Sequence, residues 1–256
     1  MNKIYTEDKK FKRCPRCYKN LLIKKQYNMN KSKNLPQHYC KKCSNEIRII
    51  WRRSKGVKKK IINRHPELVT NYFNKIDKKE KAYWLGFLYA DGYISKDSRR
   101  ITLTISLKDE CIVDEFIKFV GANKSVKKYY GPYKTCGKTV TLTITNQSFT
   151  NNLVKHGCVN KKSKIIKFPK FDKISLNLAF LLGYYDGDGS EGEPVICSGS
   201  INFIKEIKKH YVIKNKIRNT SSGSCYLLCL GNDLFRKMIV NYDKGLKRKR
   251  YIRRSG

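Results

Sequence analysis

The sequence is poor in acid. Its 256 residues carry 20 Asp and Glu against 57 Lys and Arg, a net charge of +37. So large a surplus repels itself in a free globule and implies an anionic partner. Also missing is any apolar run near the roughly 18 residues of a spanning helix, which excludes a helical membrane anchor. Met1 to Arg13 is polar and basic and lacks the apolar stretch of a secretory signal, so an intracellular, cytoplasmic protein is expected rather than a secreted one. No conventional nucleotide-binding loop stands out. What is present suffices for a core: 40% of residues are apolar and 12% aromatic, which argues against wholesale disorder. The length fits roughly one to three domains.

The ten cysteines, in a chain without an export signal, point to a reducing compartment. Six of them (Cys111, Cys136, Cys158, Cys197, Cys225 and Cys229) lie among apolar neighbours and read as core residues. The other four form two tight pairs, Cys14-Pro-Arg-Cys17 and Cys40-Lys-Lys-Cys43, with 22 residues between them. Four thiolates at this spacing suit tetrahedral Zn²⁺, and the metal replaces a core that a segment this short could hardly supply. A redox pair would need only one C-x2-C, and His38 is a less suitable ligand. Ser44 to Arg53 reads as a helix with Ile47, Ile50 and Trp51 on its apolar side. The unit resembles small four-cysteine zinc fingers of ribbon or treble-clef type. Its basic surround, from Lys12 and Arg13 to Arg52 and Arg53, fits phosphate contacts. A purely structural or protein-binding finger is the alternative.

Charge divides the chain. Residues 1–66 hold 21 basic and 3 acidic residues, and residues 67–256 hold 36 and 17, so the first segment is about three times as densely positive. Arg52 to Arg64 reads as a linker or solvated helix. The expected organisation is a zinc finger over residues 1–53, a basic linker over 54–72, and two related halves over 73–170 and 171–256.

The duplication is legible in the periodicities. In the first copy, Lys79 to Ala90 is an apolar helix, Ile101 to Leu107 alternates as a strand, and Asp109 to Val120 is a helix stopped by Gly121. A hairpin from Lys124 to Thr145, turning around Gly131-Pro132 and Gly137, leads to a helix from Gln147 to His156. In the second copy a helix capped near Ser175 runs to about Asp186. It is followed by a strand at Val195 to Ser198, a helix from Ile201 to Lys214, a strand at Tyr226 to Leu230 and a helix from Asn232 to Tyr242. Fewer residues follow Asp188 than Asp91 before the next helix, so the second copy's first hairpin must be shorter.

The segments Trp84-Leu-Gly-Phe-Leu-Tyr-Ala-Asp-Gly92 and Leu181-Leu-Gly-Tyr-Tyr-Asp-Gly-Asp-Gly189 place Gly86 with Ala90, and Gly183 with Gly187, on one helix face. Glycine inside a helix costs roughly 1 kcal/mol relative to alanine. Close approach of two helices is a sufficient reason to keep it. Such packing brings Asp91 and Asp188 together at the negative helix ends, where two carboxylates are doubly unfavourable without a cation. Mg²⁺ accepts carboxylate, water and phosphate oxygens together. Gly92 and Gly189 fit as left-handed C-caps.

These doubled motifs resemble the LAGLIDADG homing endonucleases in their single-chain, two-motif form, over roughly Phe73 to Tyr251. The resemblance implies an α+β fold: two pseudo-symmetric αββαββα halves with curved antiparallel sheets, beside the small zinc-binding domain. It implies that Asp91 and Asp188 are the metal-binding, catalytic acids. The sixth motif position, Tyr89 in the first copy, is not the catalytic one. It further implies active-site lysines at Lys162, in Gly157-Cys-Val-Asn-Lys-Lys162, and at Lys249, in Leu246-Lys-Arg-Lys249. The expected activity is site-specific hydrolysis of double-stranded DNA with divalent metal, by a monomer with internal pseudo-two-fold symmetry. One sheet face would read the major groove, with Thr102, Thr104 and Ser106, or Thr139, Thr141 and Thr143, as candidates. These are equally ordinary strand threonines. Two other readings fit the same residues: a DNA-binding regulator of the same fold that does not cut, and a maturase that binds intron RNA.

Overall fold

The fold is that of a computed structural model, which describes residues 10–30, 35–54, 68–122, 128–133 and 137–250. The chain forms two compact units, residues 1–60 and 61–256. The expected linker, 54–72, lies mostly outside the described residues, as do Cys136 and the start of the hairpin strand at Lys124.

In the first unit, β1 (Phe11–Arg13) pairs antiparallel with β2 (Asn20–Leu22). A short α1 (Ile23–Gln26) follows, then β3 (Met29–Asn30) paired with β4 (Leu35–Pro36), then α2 (Lys41–Ser54). A tight turn carries Cys14 and Cys17: the Tyr18 N–H donates to the Cys14 carbonyl at 2.8 Å, and Tyr18 takes a left-handed φ of +56°. The small core consists of Cys14, Tyr27, Cys40 and Cys43. Helix α2 starts three residues earlier than its periodicity predicts, directly after Cys40. Its expected apolar side is not buried: Ile50 and Trp51 are 55% and 56% exposed. Among the described residues of this unit, the small core is built around the four cysteines and does not cover Ile50 and Trp51.

The second unit carries both copies. The first is α3 (Lys79–Asp91), β5 (Gly92–Ile94), β6 (Arg100–Ser106), α4 (Glu110–Phe119), β7 (Lys128–Tyr133), β8 (Gly137–Thr145) and α5 (Gln147–Lys155). The second is α6 (Ile174–Asp188), β9 (Val195–Ser198), α7 (Ile201–His210), β10 (Arg218–Asn219), β11 (Tyr226–Cys229) and α8 (Asn232–Asn241). The first sheet has the antiparallel order β5-β6-β8-β7, the second β10-β11-β9. Each half therefore follows αββαββα. In the second, the first strand is reduced to a single bridge between Gly189 and Ile196, as the short spacing requires.

Local chemistry sets most boundaries. The Asn146 side chain accepts from the Phe149 N–H and caps α5, and Ser200 caps α7 in the same way. Gly121 and Gly157, at φ +71° and +88°, lie just past the ends of α4 and α5. Two expectations are corrected. Lys173, not Ser175, stands at the N-cap of α6. The Gly131-Pro132 pair is not a turn but part of β7, an edge strand, the place in a sheet where proline is tolerated. Of the six scattered cysteines, Cys158 is buried, Cys197, Cys225 and Cys229 are half-buried and Cys111 is exposed.

One hydrophobic core spans both halves, with α3 and α6 at its centre. Both helices are apolar on all sides, as fits helices buried all round. Their motif glycines face each other. A Cβ on Gly86 would lie closer than 3.0 Å to the Phe180 carbonyl, and one on Gly183 closer than 3.0 Å to the Tyr83 carbonyl. The obstacles are backbone atoms, which cannot swing aside. Gly86→Ala, a change that stabilises an isolated helix by about 1 kcal/mol, is expected instead to destabilise this protein by about 3 kcal/mol. Urea unfolding of the variant measures it.

Gly92 and Gly189 are not left-handed caps. Their φ values of −72° and −88° are open to any residue. They are glycine because a Cβ would strike the Leu88 and Tyr185 carbonyl oxygens of the preceding turn.

Candidate active site

Close helix packing brings the ends of α3 and α6 together, and with them Asp91 and Asp188. Asp91 is half-buried and Asp188 open to solvent. The Asp91 carboxyl is pushed up to about 7, first by burial and next by the negative charge of Asp188, against the pull of Lys249 and Lys162. Asp188 is also raised, by the protein packed around it, against Lys162, a hydrogen bond with Tyr184, and Lys249.

Both sequence-identified lysines meet at these ends. Lys162 Nζ donates to the Ala90 carbonyl at 2.8 Å. Lys249 Nζ donates to the carbonyls of Gly187 at 2.9 Å and Gly189 at 3.0 Å. Ala90 and Gly187 are equivalent in the two motifs, so the arrangement repeats about the pseudo-two-fold. Each ammonium satisfies carbonyls that a helix end leaves unpaired. Lys249 is 6% exposed, and burial lowers its pKa.

Two carboxylates of a single charge type, at a solvent-open helix junction, are hard-oxygen donors of the kind that Mg²⁺ accepts while keeping waters. They number two, so a metal held here would take the rest of its ligands from water or other oxygen donors. Beside them a cleft of about 380 Å³ is lined by Asp91, Asp109, Thr104, Arg248 and Lys249 among others.

The raised Asp91 pKa makes a testable statement about stability. Between its unfolded value near 3.8 and its folded value of about 7, the folded chain holds a proton that the unfolded chain has lost. Stability therefore falls as pH rises through that window. Asp91→Asn is expected to raise the Tm of the protein in magnesium-free buffer at pH 8 and to leave it unchanged at pH 4. Calorimetry at the two pH values checks the sign.

On the first sheet, Ile101, Leu103 and Ile105 of β6 and Val140, Leu142 and Ile144 of β8 face the core. The opposite face carries Thr102 opposite Thr143 and Thr104 opposite Thr141, with hydroxyls 3.3 Å and 3.0 Å apart. Exposed Tyr93 pairs with Thr102, and exposed Tyr129 with Thr141. Thr139 is different: it is buried, and its hydroxyl donates to the Gly131 carbonyl.

In the first unit the Sγ atoms of Cys14, Cys17, Cys40 and Cys43 lie within 4.8 Å of one another, and among the described residues this is the single cluster of three or more Cys, His, Asp or Glu ligands. Sulfurs around tetrahedral zinc, with Zn–S of about 2.3 Å, stand about 3.8 Å apart, so the set fits. Burial opposes ionisation of Cys14, yet backbone N–H groups of Cys40, Cys17 and Arg16 bring its thiol down to about 6. Cys43 goes the other way, up to about 12, through burial and the neighbouring thiols. A cation lets all four ionise together.

Sequence reasoning missed the polar frame around Lys249. Arg248 forks onto both carboxylate oxygens of Asp109, at 2.5 Å and 2.6 Å, and reaches Glu191. Nothing in the spacing of Asp109 and Arg248 signals this contact. Asp186, by contrast, stands in a motif, and an acid amid apolar helix residues is itself a signal of a buried partner.

No protein-family model matches this chain, and no curated protein does. Among solved structures, the homing endonuclease I-WcaI bound to its DNA recognition sequence is similar at 12% identity and TM-score 0.48, over 72% of this chain and 92% of that one. I-DmoI in complex with DNA and Ca is similar at 15% identity and TM-score 0.38, over 66% and 87%. Full-length DUF199/WhiA from Thermatoga maritima is similar at 16% identity and TM-score 0.42, over 69% and 67%. At such identities a likeness concerns fold alone, and the site's chemistry must come from its own residues.

Proposed function

We propose that this chain is a site-specific double-strand DNA endonuclease of the homing type, hydrolysing phosphodiesters with the help of divalent metal. The observation that carries the reading is the duplicated helix end: one aspartate and one lysine from each half, converging where two helices meet. A single such end could be a structural turn; two related by pseudo-symmetry suit a substrate with two scissile strands.

Asp91 and Asp188 would hold Mg²⁺. When bound, the ion supplies activation of water and stabilisation of the departing 3′ oxygen. Lys162 and Lys249 offset charge that develops on phosphate, fixed in place by the carbonyls that they already engage. The hydroxyl-rich face of the first sheet, with Thr102, Thr104, Thr141 and Thr143, meets base edges in the major groove. The reduced second sheet makes fewer such contacts, so recognition is stronger over one half-site. The four cysteines hold a structural Zn²⁺, and the basic surface around them adds phosphate contacts that position without specifying. Both halves belong to one chain, so a monomer carries the complete site.

Sequencing the products of a randomised DNA library, incubated with and without Mg²⁺, tests the reading. Mg²⁺-dependent ends that share a sequence support it. Tight, sequence-selective DNA binding with no ends points to the non-cleaving regulator. Binding of structured RNA in place of DNA points to the maturase.

A further inference from the structure

The sixth motif residues, Tyr89 and Asp186, are unlike in chemistry and take no part in the proposed hydrolysis. Yet each makes the same kind of contact. The Tyr89 hydroxyl donates to the His156 carbonyl, and the next residue, Gly157, has φ +88° and no room for a Cβ against that hydroxyl. Asp186 is 1% exposed; its Oδ2 accepts from the Leu246 N–H at 3.0 Å, from Arg250 at 2.9 Å and from the Tyr83 hydroxyl at 2.7 Å. The residue before Leu246 is Gly245, with φ +106° and no room for a Cβ against Asp186. In both halves the sixth residue thus holds a left-handed glycine elbow, and the half's lysine follows closely along the chain. From Gly157 the chain is fastened again by Asn160, which donates to the Ile94 carbonyl at 2.6 Å, and arrives at Lys162. From Gly245 a turn bonding the Lys249 N–H to the Leu246 carbonyl at 3.0 Å arrives at Lys249.

We propose that Tyr89 and Asp186 are positioning residues, each latching the glycine elbow that aims the lysine of its own half at the joined helix ends. Two side chains of different chemistry do one job because the requirement is an anchor at a fixed place on the helix, met by a donor to a carbonyl in one half and an acceptor from an N–H in the other. This rests on the endonuclease reading for what the lysines do, but not for where they are held.

The test is lysine reactivity in the full-length, zinc-loaded protein. A limiting acylating reagent is applied without DNA, and modification of each lysine is followed by mass spectrometry. In the unchanged protein, buried Lys249 reacts more slowly than exposed Lys237. Asp186→Asn is expected to speed Lys249 by about tenfold, the worth of one lost hydrogen bond, with Lys162 unchanged. Tyr89→Phe is expected to speed Lys162 with Lys249 unchanged. On DNA, each variant should lose turnover by a similar factor while its DNA affinity holds. If both lysines speed up together in each variant, or neither does, the latches do not exist as proposed. Should Asp186→Asn fail to fold, Tyr83→Phe removes one hydroxyl from the same carboxylate and is expected to free Lys249 alone. The labelling needs no turnover. A chain that cuts no DNA yet shows half-specific labelling overturns the endonuclease reading and leaves the latches standing; a chain that cuts DNA without half-specific labelling does the reverse.

Discussion

Asp188→Asn is expected to cut double-strand cleavage by at least ~10²-fold, the order lost when one preorganised electrostatic group is removed from a reacting site, while DNA affinity stays the same or improves. Asp91→Asn should do likewise. Asn keeps the size of Asp and so preserves the helix contact in which a Gly187 Cβ position would already approach Asp91 Oδ2 at 3.0 Å. What goes is half the negative charge that makes the junction attractive to Mg²⁺. With it goes the carboxylate repulsion that adds to burial in lifting Asp91 to about 7. The variant is therefore predicted to be at least as stable as the parent, without magnesium, at pH 8. Loss of cleavage combined with a raised Tm is a result that general misfolding cannot produce. A plasmid assay with gel-shift titration measures both halves of it, and full cleavage by either variant would refute the role given to that residue.

The second large effect concerns the zinc that the four cysteines are proposed to hold. Removing it, or replacing Cys40 with Ser, is expected to unfold the first unit outright, since structural zinc contributes roughly 10–16 kcal/mol of binding to domains of this size. Among the described residues the buried core there is Cys14, Tyr27, Cys40 and Cys43, with Cys17, Leu21 and Tyr39 packed against it, so the thiols make up most of what holds it. Cys40 also orders the chain beyond its thiol: its backbone N–H approaches Cys14 Sγ at 3.5 Å and its carbonyl accepts from the Ser44 N–H at the start of α2. Elemental analysis should give one zinc per chain before treatment, and protease sensitivity should then rise within residues 10–54 while the second unit stays resistant. If the unit contributes phosphate contacts as proposed, DNA affinity should fall and the slope of log affinity against log salt should become shallower. Unchanged affinity and slope would mean that the finger does not touch DNA.

The sequence was most informative where one side chain carries one requirement. Paired glycines and alanine in α3 and α6 predict a close helix contact because only a missing or minimal side chain permits it. The two C-x2-C pairs predict a four-thiol cluster because the chelate spacing allows little else. It was least informative where a residue has several ways to be explained. Gly92 and Gly189 read as left-handed caps, but glycine also serves tight backbone approach, and that is the reason here. Gly131-Pro132 reads as a turn, and its place on an edge strand decides otherwise. Ile50 and Trp51 have helical periodicity, which marks a face without saying whether anything covers it.

Duplication, helix contact, converging acids and the cysteine set were thus determined by the sequence alone, through short-range spacing and through residue sizes that admit one arrangement. The tertiary structure alone decided that Lys162 and Lys249 close equivalent helix ends, that Arg248 clamps Asp109 and that Asp186 holds the chain leading to Lys249. Those pairs lie 60 to 139 positions apart. No periodicity spans such distances; only the burial of α3 against α6, which leaves each charged group a single place to find a partner, brings them together.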